Sequence, residues 1–351
     1  VLEDFAPNFT AAGIGLPYPD PAEAVAQVLS RLNEMPYWPQ LPQRNPCEDM
    51  APQYASALAP LVAGEPGSRQ VIAFGGLDRE QALAVFYERL MTAPLEEFAP
   101  DPACAAGWPA FLEAIGAARG DAFPWLKGHV TGPVTMGLAV PGTDGKALLY
   151  DDEAAEAVAR GLGAAAGAQA AALAALGRKV MIFIDEPALS GFGSAFTPVS
   201  RETVLGLLGA CFEEARARCE VVLGVHCCGN TDWSLLVDSG VDVINLDSHG
   251  YGDHLLLYPE SVDALLARGG AVAWGAVPTL EYKGNETGEA LWAGLQSLLA
   301  GFEEKGLDRE ALARQSLVTP ACGMGGLSVD QALAILDLTV EVSRLAREQY
   351  A

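Results

Sequence analysis

Basic residues are scarce in this chain. Lysine and arginine together number 21 against 45 aspartates and glutamates, a formal net charge of −24. No positive stripe is left to neutralise phosphates, which argues against a nucleic-acid partner and against docking on anionic membrane surfaces. Long apolar runs are missing too: none reaches the roughly 18–20 residues of a membrane span. The first residues carry neither the basic nor the apolar region of a secretion signal. No G-x-G-x-x-G follows a strand-like run, so a dinucleotide fold has nothing to rest on. The cysteines are seven, an odd number, at Cys47, Cys104, Cys211, Cys219, Cys227, Cys228 and Cys322. That distribution suits a reducing cytoplasm better than a disulfide framework. A cytoplasmic protein is the expectation.

What is present is an alternation of two kinds of segment. The chain has 351 residues, half of them hydrophobic, enough to bury a full core. Short apolar runs at 12–17, 71–74, 127–132, 180–185, 221–225, 241–247, 271–277 and 316–318 read as strands. Helical patterns at about 20–33, 79–89, 152–176, 201–217, 231–238, 259–268, 286–304 and 328–347 separate most of them. A proline-rich stretch over 36–50 reads as a long loop over one end. Apolar strands buried on both faces imply a parallel sheet. Eight of them predict a (β/α)8 TIM barrel, one domain over 1–351, with loop insertions at the C-terminal face. In such a barrel the chemistry gathers at the C-terminal strand ends, where Thr131, Asp185, His226, Cys228, Asp247 and Cys322 fall.

The strongest local signal is Gly224-Val225-His226-Cys227-Cys228-Gly229-Asn230. His226 and Cys228 are two residues apart, so on a strand they project to one side. An imidazole and a thiolate so placed can share a Zn2+ ion. Cys322, in Thr319-Pro320-Ala321-Cys322-Gly323, is the candidate third ligand. The competing reading is a buried strand end with inert cysteines.

Several motifs together resemble one family. Lys127-Gly128-His129-Val130-Thr131-Gly132-Pro133-Val134-Thr135 is similar to the K-G-x-x-T-G-P-V-T signature of the catalytic barrel of cobalamin-independent methionine synthases. Ile184-Asp185-Glu186-Pro187-Ala188-Leu189 resembles that family's I-D-E-P-A-L strand end, and His226-x-Cys228 with Pro320-x-Cys322-Gly323 resembles its zinc-binding pieces in the same order. The form from His226 to Thr231 is also similar to the H-x-C-G-N-T of corrinoid-dependent methyltransferases related to uroporphyrinogen decarboxylase. The resemblance implies a zinc-dependent methyltransferase acting on a thiol, homocysteine above all. With room for one barrel, the implied donor is a methylated corrinoid protein. It implies His226, Cys228 and Cys322 as zinc ligands, with Asp247 standing where the family has a glutamate ligand. It also implies Asp185 for a substrate ammonium group. Gly15 stands where the synthases have a substrate-holding serine, so that contact is made by backbone alone or is lost.

Other assignments stay open on the residues alone. Asp247 is a fourth ligand or a helix cap. Glu186 contacts substrate or is structural, and Thr131 and Thr135 line the pocket or satisfy backbone groups. Cys227 should face away from its neighbours into the core. The run from Asp247 to Gly252 fits D-x-H-x-x-G, a cobalt-binding loop with His249 as ligand, but it falls inside the barrel pattern and is read as fortuitous. A methylcorrinoid:coenzyme M-type enzyme and a decarboxylase-like or non-catalytic barrel remain the alternatives. Asp185 favours an acceptor with an ammonium group over a sulfonate.

Overall fold

In the computed structural model, residues 5–64, 67–118, 122–142, 144–194 and 198–350 are described. Seven strands form one parallel sheet: β1 (Thr10–Ala11), β4 (Trp125–Thr131), β5 (Lys179–Asp185), β6 (Val222–Cys227), β7 (Val243–Leu246), β8 (Ala271–Val277) and β9 (Ser316–Pro320). Their order is β1-β9-β8-β7-β6-β5-β4. A separate antiparallel hairpin pairs β2 (Val62–Gly64) with β3 (Val71–Ala73).

Strand alternation sorts the apolar residues into two clusters. Val180, Ile182 and Ile184 of β5 face outward, into the large cluster shared with the helices. Met181 and Phe183 face inward, where they pack with Val222, Val243, Ala271, Ala273 and Leu317 from the other strands. Ala12 and Met35 join the same inner cluster. Residues following one edge strand thus meet residues from the middle of the sheet, which requires the sheet to curl into a barrel-like shape.

The predicted second barrel strand is not in this sheet. Residues 71–73 belong to the small hairpin, and the place beside β4 is taken by the proline-rich stretch predicted as a loop. The Trp125 and Lys127 amides donate to Glu34 and Pro36 carbonyls at 3.0 and 2.9 Å, and Trp38 N–H donates back to Lys127 at 3.4 Å. On its other side the Gln40 carbonyl accepts from Leu16 N–H at 2.9 Å. Pro36 and Pro39 have no N–H to give, so the segment makes an isolated bridge at Tyr37 and no continuous ladder. The eight-strand expectation is therefore corrected to seven laddered strands and one extended segment. The first strand is also displaced and shorter than predicted, Thr10–Ala11 in place of 12–17, and residues 12–17 form the loop that follows it.

The helices follow their caps. Asp20, Asp151, Ser200, Asp232 and Thr287 each accept backbone N–H bonds at the start of a helix beginning near the predicted place. Among the described residues five α-helices lie outside the predicted ones: Ala55–Leu58, Gly107–Ala117, Pro133–Ala139, Arg309–Arg314 and Ser248–Leu255, the last directly after β7. Among the described residues no helix is long and apolar enough to cross a membrane. The cysteine reading needs a correction as well: Cys47 and Cys104 form a disulfide across a sequence separation of 57. It ties the segment over the sheet to the loop around residue 104, beside a 3.0 Å bond from Gln53 Nε2 to the Cys104 carbonyl.

Candidate metal centre

Register places the site. Thr131 pairs with Asp185, Asp185 with His226, and His226 with Asn245, so these four occupy one row across β4 to β7 on the inward face. The row lies at the C-terminal ends of the strands. Cys228 follows one residue beyond β6, and Cys322 two residues beyond β9. The ligand atoms of His226, Cys228 and Cys322 lie within 4.8 Å of one another. Tetrahedral zinc with nitrogen and sulfur ligands spaces them by roughly 3.5–3.8 Å, inside that limit.

The His226 ring is held from behind. Asn245 Nδ2 donates to the Ala273 carbonyl at 2.8 Å and to Thr319 Oγ1 at 3.0 Å, so its Oδ1 must face His226 Nδ1, 2.6 Å away. An amide oxygen only accepts, which puts the imidazole proton on Nδ1 and leaves Nε2 as the nitrogen that can bind a metal. A neutral imidazole with its second nitrogen anchored is what a metal ligand needs. Replacing Asn245 with Ala is expected to weaken zinc binding by about tenfold without unfolding the chain. Competition against a chromophoric chelator, with circular dichroism alongside, checks this.

The two thiols are coupled. A hydrogen bond from Cys322 holds the Cys228 thiol below its ordinary range, against burial, which raises it. The same bond, with burial, pushes Cys322 up to about 12. Burial lowers His226, but the Cys322 thiol and the Asp185 charge outweigh it and the net direction is up. One imidazole with a fixed tautomer and two sulfurs, one already inclined to ionise, form a donor set that suits zinc.

Asp185 borders the same small cavity as His226, Asn245 and Cys322, with Gly13, Ile14, Lys127 and Phe183 completing much of its wall. Its Oδ1 is buried with no hydrogen-bond partner, and burial raises its pKa against the charges of His226 and Lys127. An unpaired buried carboxylate oxygen facing a cavity is a costly arrangement until something fills it.

The remaining candidates stand elsewhere. Asp247 caps the helix that follows it, Oδ1 accepting from Gly250 N–H at 2.8 Å, and it is not in the three-residue cluster. Both Glu186 oxygens are turned to the start of the Pro133–Ala139 helix. They accept from Val134 N–H at 2.8 Å, Thr135 N–H at 2.8 Å and the Thr135 hydroxyl at 2.6 Å. Gly132 admits this contact, since a Cβ there would sit 2.2 Å from the Glu186 carboxyl carbon. Of the two readings left open for Glu186, these hydrogen bonds are of the structural kind. Thr131 donates to the Met50 carbonyl at 2.5 Å and is occupied in the same way. Gly15 adopts φ +33°, a left-handed turn that favours glycine, while its neighbours Gly13 and Ile14 are the ones that border the cavity. Cys227 is buried among the outer apolar residues, as strand parity requires. His249 is exposed on the first turn of its helix.

Two residues bordering the cavity were not singled out from the sequence. Asn245 sits two residues before Asp247 on a strand, in phase with His226 once the register is known. Lys127 begins the K-G motif, but a lysine in an apolar strand gives no sign of pointing inward until the sheet is curled.

No family model matches the chain, and no curated protein does. Among solved structures it is similar to a B12-independent methionine synthase from Shewanella sp. W3-18-1, determined in complex with selenomethionine. The identity is 21% and the TM-score 0.49, over 68% of this chain and 67% of that one, a distant likeness.

Proposed function

We propose that this protein is a zinc-dependent thiol S-methyltransferase whose acceptor is homocysteine, giving methionine. The observation that carries the reading is the convergence of His226, Cys228 and Cys322, with His226 and Cys322 bordering a cavity that Asp185 also borders. His226, Cys228 and Cys322 would hold the ion, and zinc bound to them supplies a charge that keeps an acceptor thiol ionised near neutral pH. Asn245 keeps the imidazole turned toward the ion. Asp185 offers its free oxygen to the acceptor's ammonium group. Phe183 and Ile14 give the cavity apolar walls that keep water from competing with these contacts. Asp247 is assigned to its helix cap. A sulfonate thiol such as coenzyme M has no ammonium group for Asp185 and is the poorer acceptor. The donor proposed is a methylated corrinoid protein, on the sequence resemblance alone.

The test joins metal analysis to a thiol titration. We expect about one zinc per chain. A free thiol has a pKa of about 8.5, so homocysteine added in weak buffer near pH 7 should release close to one proton per site as it ionises. Zinc without proton release would remove thiol activation from the reading, and no zinc after reconstitution under reducing conditions would end it.

A further inference from the structure

Lys127 is 1% exposed, and its ammonium group borders the cavity beside the metal cluster. Nζ donates to the Gly13 carbonyl at 3.0 Å and lies 4.3 Å from the centre of the Phe183 ring. An ammonium group carries three N–H donors, so the Gly13 bond leaves bonding capacity unused. Asp185 has the complementary deficit, a buried Oδ1 without a partner. The two charges border one cavity and act on each other across it, but they form no direct ion pair among the described residues. A buried cation and a buried anion that do not pair directly are only partly compensated, and a counter-group that enters the cavity would complete both.

We infer that Lys127 binds the carboxylate of the acceptor, so that Lys127 and Asp185 together select a thiol that is also an α-amino acid. This rests on the reading of the cavity as an acceptor site and narrows it to a substrate class. A ligand with only an ammonium group leaves Lys127 unsatisfied. One with only a carboxylate leaves Asp185 unsatisfied. A zwitterion meets both, with its thiol toward His226, Cys228 and Cys322. Lys127 was not needed to argue for the metal, and nothing in the metal cluster requires it.

Calorimetry with four ligands separates the two ideas. Homocysteine is compared with 3-aminopropanethiol, which lacks the carboxylate, with 4-mercaptobutyrate, which lacks the ammonium, and with norvaline, in which a methyl replaces the thiol. A charge-assisted hydrogen bond is worth about tenfold or more in affinity. Homocysteine should therefore bind the native protein at least about tenfold more tightly than 3-aminopropanethiol. In Lys127→Met, an isostere without charge, that advantage should shrink to about twofold, while 3-aminopropanethiol keeps its affinity and the zinc content is unchanged. Equal binding of homocysteine and 3-aminopropanethiol to the native protein would overturn the role of Lys127, even if Lys127→Met failed to fold. Equal binding of homocysteine and norvaline would remove the thiol from the proposed function and leave zwitterion selection standing. If none of the four bound, both would fall.

Discussion

Cys322→Ser is expected to abolish tight zinc binding in a chain that still folds. Structural zinc sites gain about 10–16 kcal/mol from about four ligands, so losing one thiolate should weaken binding by on the order of a hundred- to a thousandfold. A serine hydroxyl does not replace it, because it stays protonated where a thiol ionises. The fold should survive for a reason of position. Cys322 is partly exposed and lies just beyond β9, outside both the inner and the outer apolar clusters. His226→Ala should lose the metal as completely but cost more stability, about 1–3 kcal/mol, since it leaves Asn245 Oδ1 buried without a donor. Metal analysis after dialysis and far-ultraviolet circular dichroism read the two effects separately. If Cys322→Ser lost its secondary structure, the ion would be a structural element and the thiol-activating role would be lost with it.

Why the sequence located this centre but not all of its surroundings has a physical answer. Strands such as 271–277 were legible to the residue, because a run of Ala, Val and Trp between a Gly-Gly turn and a proline admits little else. The His226-x-Cys228 pair was legible because strand parity alone puts the two side chains on one side. The partnership with Cys322 needed the curl of the sheet, which brings β9 round beside β6 by way of two intervening strands. Residues 34–40 were misread for the opposite reason. Pro36 and Pro39 spoil the strand pattern, yet the carbonyls of Glu34 and Pro36 and the one N–H of Trp38 suffice to bridge to an edge strand. Asp247 and Glu186 show the limit most clearly. A carboxylate at a strand end looks the same in sequence whether it faces a ligand or a helix N-terminus, and here both face helices. The Cys47–Cys104 bond joins residues from two loops, and loop-to-loop contacts leave no periodicity to read.

Glu186 also sets the second large expected effect, a fall in stability between acid and neutral pH. The group is fully buried, and burial raises its pKa to about 7 from the ordinary value of 4.5, although three donors favour the ionised form. Below pH 4.5 the folded and unfolded chains both hold the proton, and the contribution is fully present. Between about 4.5 and 7 the unfolded chain ionises first, so the folded state loses ground as pH rises. Above about 7 both have ionised and the loss is complete. A shift of this size corresponds to about 3 kcal/mol across the window. Glu186→Gln removes the titration but turns one N–H2 toward donors that need an acceptor, at a cost of about 1–3 kcal/mol. The variant should therefore be clearly less stable than the native chain near pH 4.5 and should close most of that gap by pH 8. Urea unfolding of both proteins across this range, with a chelator present to silence the metal, gives the difference directly. Parallel curves would mean that Glu186 is already ionised throughout, with its three hydrogen bonds outweighing its burial.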